Sequence, residues 1–317
     1  MQRALIAAGS AALAAACSNL VPADGPRHSF PDAHVFGATA LAFSPDGARL
    51  ASGGYRGEIS TWQVQPPRPL ATLRGHADTV RALAYVTPQR LVSSGDDGLL
   101  LVWDPEAGAP VASAATSAVN ALASGGDTLF TGHRDGHLRA WRYPGLEPAG
   151  EARLDSAVIA LDRHADSLAV ATDGGRVALF STALQWQRDL QTAGPAARDL
   201  RFSPDGRLLV AGTWFRLLVW DLPGGELRTA AGEHQGLLTS VDVSPDGRSL
   251  VSLGRYTDSA IRVWDRDTLA VRRRYQAHEL CGAMIRFSPD GRHLASASDD
   301  ESVRLYDLTR PAQGTAP

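Results

Sequence analysis

Histidine, aspartate and an aromatic residue recur in this chain at matching intervals: His76 with Asp97 and Trp103, His234 with Asp258 and Trp264, His278 with Asp300 and Tyr306. Histidine polarised by a carboxylate, with a serine at hand, is the constellation of nucleophilic hydrolysis. An active site is built once, however, and here the groups return several times together with their aromatic companion. That repetition assigns them to a scaffold, in which a buried imidazole must be fully hydrogen-bonded or it costs stability. No catalytic residue is therefore named. No metal is expected either, because the chain has no HExxH, no cysteine pair and no dense histidine cluster. His133 and His137 flank the turn Arg134-Asp135-Gly136, so they read as solvent-exposed turn histidines and not as a helical ligand pair. Glycine-rich phosphate loops, a Gly-x-Ser-x-Gly elbow and calcium loops are all missing, and no cofactor is expected. Of the two cysteines, Cys281 reads as a small space-filling group near the start of a strand, and Cys17 belongs to a different context.

The elements that would position these groups are short strands. Phe43-Ser-Pro-Asp-Gly47, Phe202-Ser-Pro-Asp-Gly206, Val243-Ser-Pro-Asp-Gly247 and Phe287-Ser-Pro-Asp-Gly291 each stand between two alternating apolar runs. Proline fixes φ, aspartate bonds nearby backbone and glycine accepts positive φ, so each phrase is a tight turn joining antiparallel strands. An aromatic residue closes each repeat: Trp62, Trp103, Trp141, Phe180, Trp220, Trp264 and Tyr306, at gaps of 38 to 44 residues. That is the period of a four-stranded propeller blade. Gly75-His76 and Trp103-Asp104 are complete signature dipeptides; Glu233-His234 with Trp264-Asp265, and Ala277-His278 with Tyr306-Asp307, differ by one residue each, and His34 stands where the first repeat needs its histidine. Over residues 28 to 308 the sequence resembles the WD40-repeat family.

The resemblance implies an all-β, seven-bladed propeller. The last repeat ends at Leu308 after its third strand, so the stretch His28 to Asp32 is expected to supply the outer strand of the last blade; an open or eight-bladed ring is the other arrangement. It also implies that histidine, turn aspartate, a serine or threonine and the aromatic residue form a bonded set. The first, third, fourth and fifth repeats lack parts of it: Arg56, Gly174 and Trp214 occupy the turn-aspartate position in repeats one, four and five, and Ala193 the histidine register of repeat five.

For function, the family resemblance implies docking of a protein or peptide. Turns on the Gly-His face carry Tyr55, Arg56, Trp214, Phe215, Arg216, Arg255 and Tyr256, residue types enriched in binding hot spots. Trp214 either forms such a spot, with Arg255 and Tyr256 of the next blade extending it, or folds inward to fill the space of the missing aspartate. A propeller enzyme or a small-molecule binder with a site in the central channel is the alternative class.

Net charge is -3, and the only dense basic run is Arg272-Arg273-Arg274, so no nucleic-acid partner is expected. Met1-Gln2-Arg3 followed by the apolar stretch Ala4 to Ala16 has the shape of a secretory signal too short to span a bilayer. Small residues directly before Cys17 resemble the lipobox of bacterial lipoproteins, although leucine stands at Leu13 where the family places it one residue later. The other readings are a plain signal cleaved near Ala16, with Cys17 incidental, and a mistranslated start on a cytosolic protein. The expected organisation is a leader over 1–16, lipidated Cys17 and a tether over 17–27, the propeller over 28–308 and a disordered tail over 309–317. The protein would sit as a monomer on the outer side of the cytoplasmic membrane of a bacterial envelope, held by its lipid alone.

Overall fold

The computed structural model describes residues 24–192, 194–256, 258–275 and 278–309. Cys17, the leader, Ala193 and the tail beyond Thr309 lie outside the described residues. Seven four-stranded antiparallel sheets form the chain. The first has the strands Ala38–Phe43, Arg49–Gly54, Ile59–Gln63 and Arg68–Leu73, paired in sequence order from the axis outward. The next five repeat that order over 80–115, 119–153, 158–190, 199–231 and 237–275. The seventh takes only three strands from its own repeat, Gly282–Phe287, His293–Ser298 and Val303–Asp307. Its outer strand is His28–Phe30, with His28 opposite Leu305 and Phe30 opposite Val303. The fold is therefore an all-β, seven-bladed propeller closed by its N-terminal strand.

Closure has an apolar and a polar part. Phe30 packs on Trp62 of blade one with ring centroids 4.3 Å apart, in a cluster with Leu41, Leu50, Ala295 and Leu305. Burying one phenylalanine contributes roughly 1.5–3 kcal/mol. Arg27 pairs with Asp307 at 2.6 Å. Asp24, upstream of the strand, bridges to Tyr275 and meets Arg273 of blade six.

The repeated turn phrase has a local cause. Ser44 donates its hydroxyl to Asp46 at 2.6 Å, Asp46 accepts from the Ala48 amide, and the Arg49 amide donates to the Ser44 hydroxyl oxygen. Gly47 takes a φ of 69°, where a side chain would be strained. The same bonds recur around Ser203, Ser244 and Ser288. Those four turns belong to blades five, six, seven and one, which are consecutive around the ring. A methyl group on Gly247, Gly291 or Gly47 would touch Pro204, Pro245 or Pro289 of the preceding blade at ordinary contact distance. The phrase thus packs turn against turn along one side of the face opposite the Gly-His loops.

Inside the ring, blades four to seven are tied by charge. Asp162 accepts from the Phe202 amide, Asp199 from the Val241 amide and Asp242 from the Phe287 amide, each reaching the innermost strand of the next blade. Arg286 donates to Asp199 at 3.0 Å, and Arg201 lies 3.6–3.9 Å from Asp162, Asp199 and Asp242. Burial pushes Asp162 and Asp242 above the ordinary carboxylate range. For Asp199 burial acts the same way, but Arg286 and Arg201 outweigh it and hold the carboxyl low.

Candidate interaction surface

The histidine sets form as bonded chains. His76 Nδ1 meets Asp97 at 2.9 Å, its Nε2 meets Ser93 Oγ at 2.7 Å, and Trp103 donates its indole N–H to the same Oγ at 2.7 Å. His234, Asp258, Ser252 and Trp264 repeat this, as do His278, Asp300 and Ser296, where the Tyr306 hydroxyl replaces the indole. Because Ser93 accepts from Trp103, its own proton goes to His76 Nε2, and the Nδ1–H points at the aspartate. Ser93 is fully buried with both sides engaged, so no substrate could reach it. This geometry holds strands together and cannot perform acyl transfer.

Two expectations about these sets need correction. In repeat one the acid is Glu58, not missing at Arg56: Glu58 Oε1 meets His34 at 2.9 Å, and His34 meets Ser52, which accepts from Trp62. Glutamate's extra methylene lets it reach from two residues further along the turn. In repeat three His133 is no solvent-exposed turn residue; it is completely buried. Its Nε2 lies 2.7 Å from Thr131 Oγ1, which accepts from Trp141, and its Nδ1 donates to the Ser117 carbonyl. The imidazole thus enters from the second strand instead of the loop and fills the same place. Burial and the neighbouring Arg139 lower its pKa to about 4. His137 stays at the turn, 3.0 Å from Asp135. In repeat five Trp220 donates to the Gln191 carbonyl, and no histidine takes part. Cys281 is half-buried; its carbonyl accepts from Asp299 and Ser298.

The Gly-His face is uneven. In blades one to four the turn between the second and third strands passes through glycine at positive φ: Gly57, Gly98, Gly136 and Gly175. Blade five puts Phe215 at that step with φ 62°, and the longer turn of blade six passes through Tyr256 with φ 69°. Phe36, in the loop entering blade one, has φ 72°. Left-handed backbone costs a bulky residue about 1–2 kcal/mol. These three are the aromatic residues with positive φ among the described residues, and Phe215, Tyr256 and Phe36 remain 49%, 58% and 60% exposed. Trp214 does not fold into the core. It is half-buried and stacks on Tyr256 across the blade boundary, 5.6 Å between centroids and 6° from parallel, with Phe215 at 5.7 Å.

Leu280, 56% exposed in the loop entering blade seven, lies between this stack and Phe36 in the order of blades. Beneath, Arg255 donates to Asp299 at 2.7 Å and Tyr55 donates its hydroxyl to the same carboxylate at 3.1 Å, linking blades six, seven and one. Tyr55 is therefore a support and a channel-lining residue. Glu301 accepts the Phe36 amide, and Arg56 stacks over the Phe36 ring at 4.5 Å. Arg216 is exposed. Sequence reasoning missed Phe36 and Leu280, which lie in the loops entering blades one and seven; the replacement of glycine by an aromatic residue at the repeated turn position marks Phe215 and Tyr256 and not these two.

The central channel encloses about 560 Å³. Arg81, Arg134, Arg198 and Arg255 line it, with Arg201 and Arg286 among the charged network. Among the described residues no group of three or more histidine, cysteine, aspartate or glutamate side chains could hold a metal ion, and no helix is long and apolar enough to cross a membrane.

The family model described as "WD domain, G-beta repeat" matches residues 25–63, 67–104, 190–221, 225–265 and 271–307, more than half of the chain. The chain is 29% identical over 230 residues to telomerase protein component 1 of Mus musculus, covering 67% of this chain and 9% of that protein. It is 27% identical over 287 residues to the 66 kDa stress protein of Physarum polycephalum, covering 85% and 46%. Coronin-7 of Mus musculus is 28% identical over 193 residues, covering 55% and 20%. The chain spans less than half the length of each of these relatives.

Proposed function

The chain belongs to the WD40-repeat family, whose propellers act as scaffolds for protein–protein contacts, and from that premise we propose that it is a monomeric, non-enzymatic binding platform whose partner docks on the Gly-His face at blades five and six. The observation that carries this reading is the pair Phe215 and Tyr256. Both occupy backbone that glycine fills in blades one to four, and both remain exposed residues. Neither the strain nor the exposure benefits the isolated fold. Both benefit a surface that must display rigid aromatic area, flanked by Arg216 and Arg255. The joint substitution Trp214→Ala and Tyr256→Ala should weaken capture of the native partner from crosslinked membranes by about tenfold or more, with the melting temperature nearly unchanged. Unchanged capture, or collapse of stability, refutes the surface.

We propose further that residues 1–16 are a leader, that Cys17 is acylated, and that residues 17–27 tether the propeller (28–308) to the outer side of a bacterial cytoplasmic membrane, with 309–317 a tail. Support comes from the uncharged run Ala4 to Ala16 and the small residues before Cys17. Cys17→Ser should release the protein or leave it unprocessed. Membrane association that persists in this variant, with no lipid on the wild-type N-terminus by mass analysis, rules the anchor out.

A further inference from the structure

Six arginines, Arg81, Arg134, Arg198, Arg201, Arg255 and Arg286, line the central channel beside two aspartates, Asp173 and Asp199. At the mouth, Arg81 donates twice to Asp96 and Arg134 once, so two guanidinium groups share one carboxylate. Arg198 pairs with Asp173 and Arg255 with Asp299. Arg81 and Arg134 thus hold one guanidinium in surplus over Asp96. Arg201 and Arg286 are engaged with the buried carboxylates Asp162, Asp199 and Asp242. Arg134 and Arg198 are 59% and 40% exposed, so both can turn toward a ligand without leaving a buried carboxylate unpaired.

Around this mouth the exposed apolar groups occupy one side only. Phe215, Tyr256, Leu280 and Phe36 follow one another on blades five, six, seven and one. In blades two to four the turns between the second and third strands are Asp96-Asp97-Gly98, Arg134-Asp135-Gly136 and Asp173-Gly174-Gly175, and neither these turns nor the loops entering those blades hold an exposed large apolar side chain. At the two ends of the arc stand Arg216 and Arg56, both exposed and without a carboxylate partner among the described residues. Glu279, beside Leu280, is the exposed acid on the arc itself; Glu301 is engaged with the Phe36 amide.

We propose that the partner segment is acidic and apolar together: an extended stretch whose aromatic or aliphatic side chains lie along the arc from Trp214 to Phe36 and whose carboxylate enters the channel mouth between Arg81, Arg134 and Arg198. This rests on the proposed docking face and adds the chemistry of its occupant. A carboxylate there neutralises the surplus guanidinium, and charge-assisted bonds to arginine are about twice as strong as neutral ones. The apolar arc by itself would take many sequences; the cationic mouth rejects basic ones.

The test uses the full chain and a displayed library of random dodecapeptides, followed by fluorescence anisotropy with a fluorescein-labelled copy of the selected peptide. Selected sequences should combine Asp or Glu with Phe, Leu or Trp. Their Kd should rise about tenfold in the Arg81→Gln, Arg134→Gln variant and about fivefold or more between about 50 and about 500 mM NaCl in the wild type. The salt series stands even if the arginine variant does not fold. Selected peptides that lack acids and bind independently of salt, yet weaken in the Trp214→Ala, Tyr256→Ala variant, overturn this inference and leave the docking face standing. Peptides indifferent to Trp214 and Tyr256 overturn both.

Discussion

His133 offers a prediction with a magnitude. Its imidazole is fully buried, accepts the Thr131 hydroxyl proton at Nε2 and donates Nδ1–H to Ser117. Protonation would place a second donor on Thr131, which already accepts from Trp141, beside the Arg139 guanidinium. The folded-state pKa accordingly falls from 6.5 to about 4. A depressed histidine pKa means that the unfolded chain binds the proton first. Stability is then complete above pH 6.5 and is lost as pH falls from 6.5 toward about 4. A shift of about 2.5 units at about 1.4 kcal/mol each amounts to about 3 kcal/mol across that window. His234, His278 and His293 are also depressed, by burial, so the whole protein weakens in the same direction. The His133 contribution is isolated by subtraction. Urea unfolding followed by tryptophan fluorescence, at steps from about pH 7.5 to about pH 4, would be run on the wild type and on His133→Gln. At neutral pH the variant should be less stable by about 1–3 kcal/mol, the cost of disturbing a buried bonded chain. That deficit should shrink by about 3 kcal/mol toward pH 4 and can change sign. A deficit that stays constant with pH would refute the buried, neutral His133.

Three further outcomes are expected. Phe215→Gly should raise the unfolding free energy by about 0.5–1 kcal/mol, because glycine accepts the left-handed backbone, while partner capture weakens; destabilisation measured by urea unfolding would show that the ring is needed by the fold. Glu58→Ala should cost about 1–3 kcal/mol by removing the acid bonded to His34, whereas Arg56→Ala should stay within about 0.5 kcal/mol; the opposite order in urea melts would refute Glu58 as the acid of the first set. A chain begun at Ala33 should be less stable than one begun at Asp24 by about 2–4 kcal/mol, since it loses Phe30 from the Trp62 cluster and the ladder to the last blade, and equal calorimetric melting temperatures would contradict the closure.

The sequence by itself determined the ring. A period of 38 to 44 residues, turn phrases with a single backbone solution and an aromatic residue at each repeat's end are local features, and each blade needs only its own residues and its neighbour to form. The missing outer strand after Leu308 was legible for the same reason, because counting strands requires no coordinates. The histidine sets of blades two, six and seven could be read wherever the residues kept their register. Tertiary structure decided the rest. His133 approaches its threonine from the second strand and Glu58 reaches back to His34 from further along its turn. Bonding depends on where atoms converge in space, so a shift in register is invisible to pattern matching when a longer side chain or another strand compensates. The surface was decided at the same level. Trp214 could have faced the core or the solvent, and its stacking on Tyr256 depends on two turns from different blades arriving side by side. Phe36 and Leu280 join them only because the ring closes, bringing the first blade against the last. Charge at the channel mouth is likewise a sum over arginines scattered from Arg81 to Arg255, which the closed ring alone brings together.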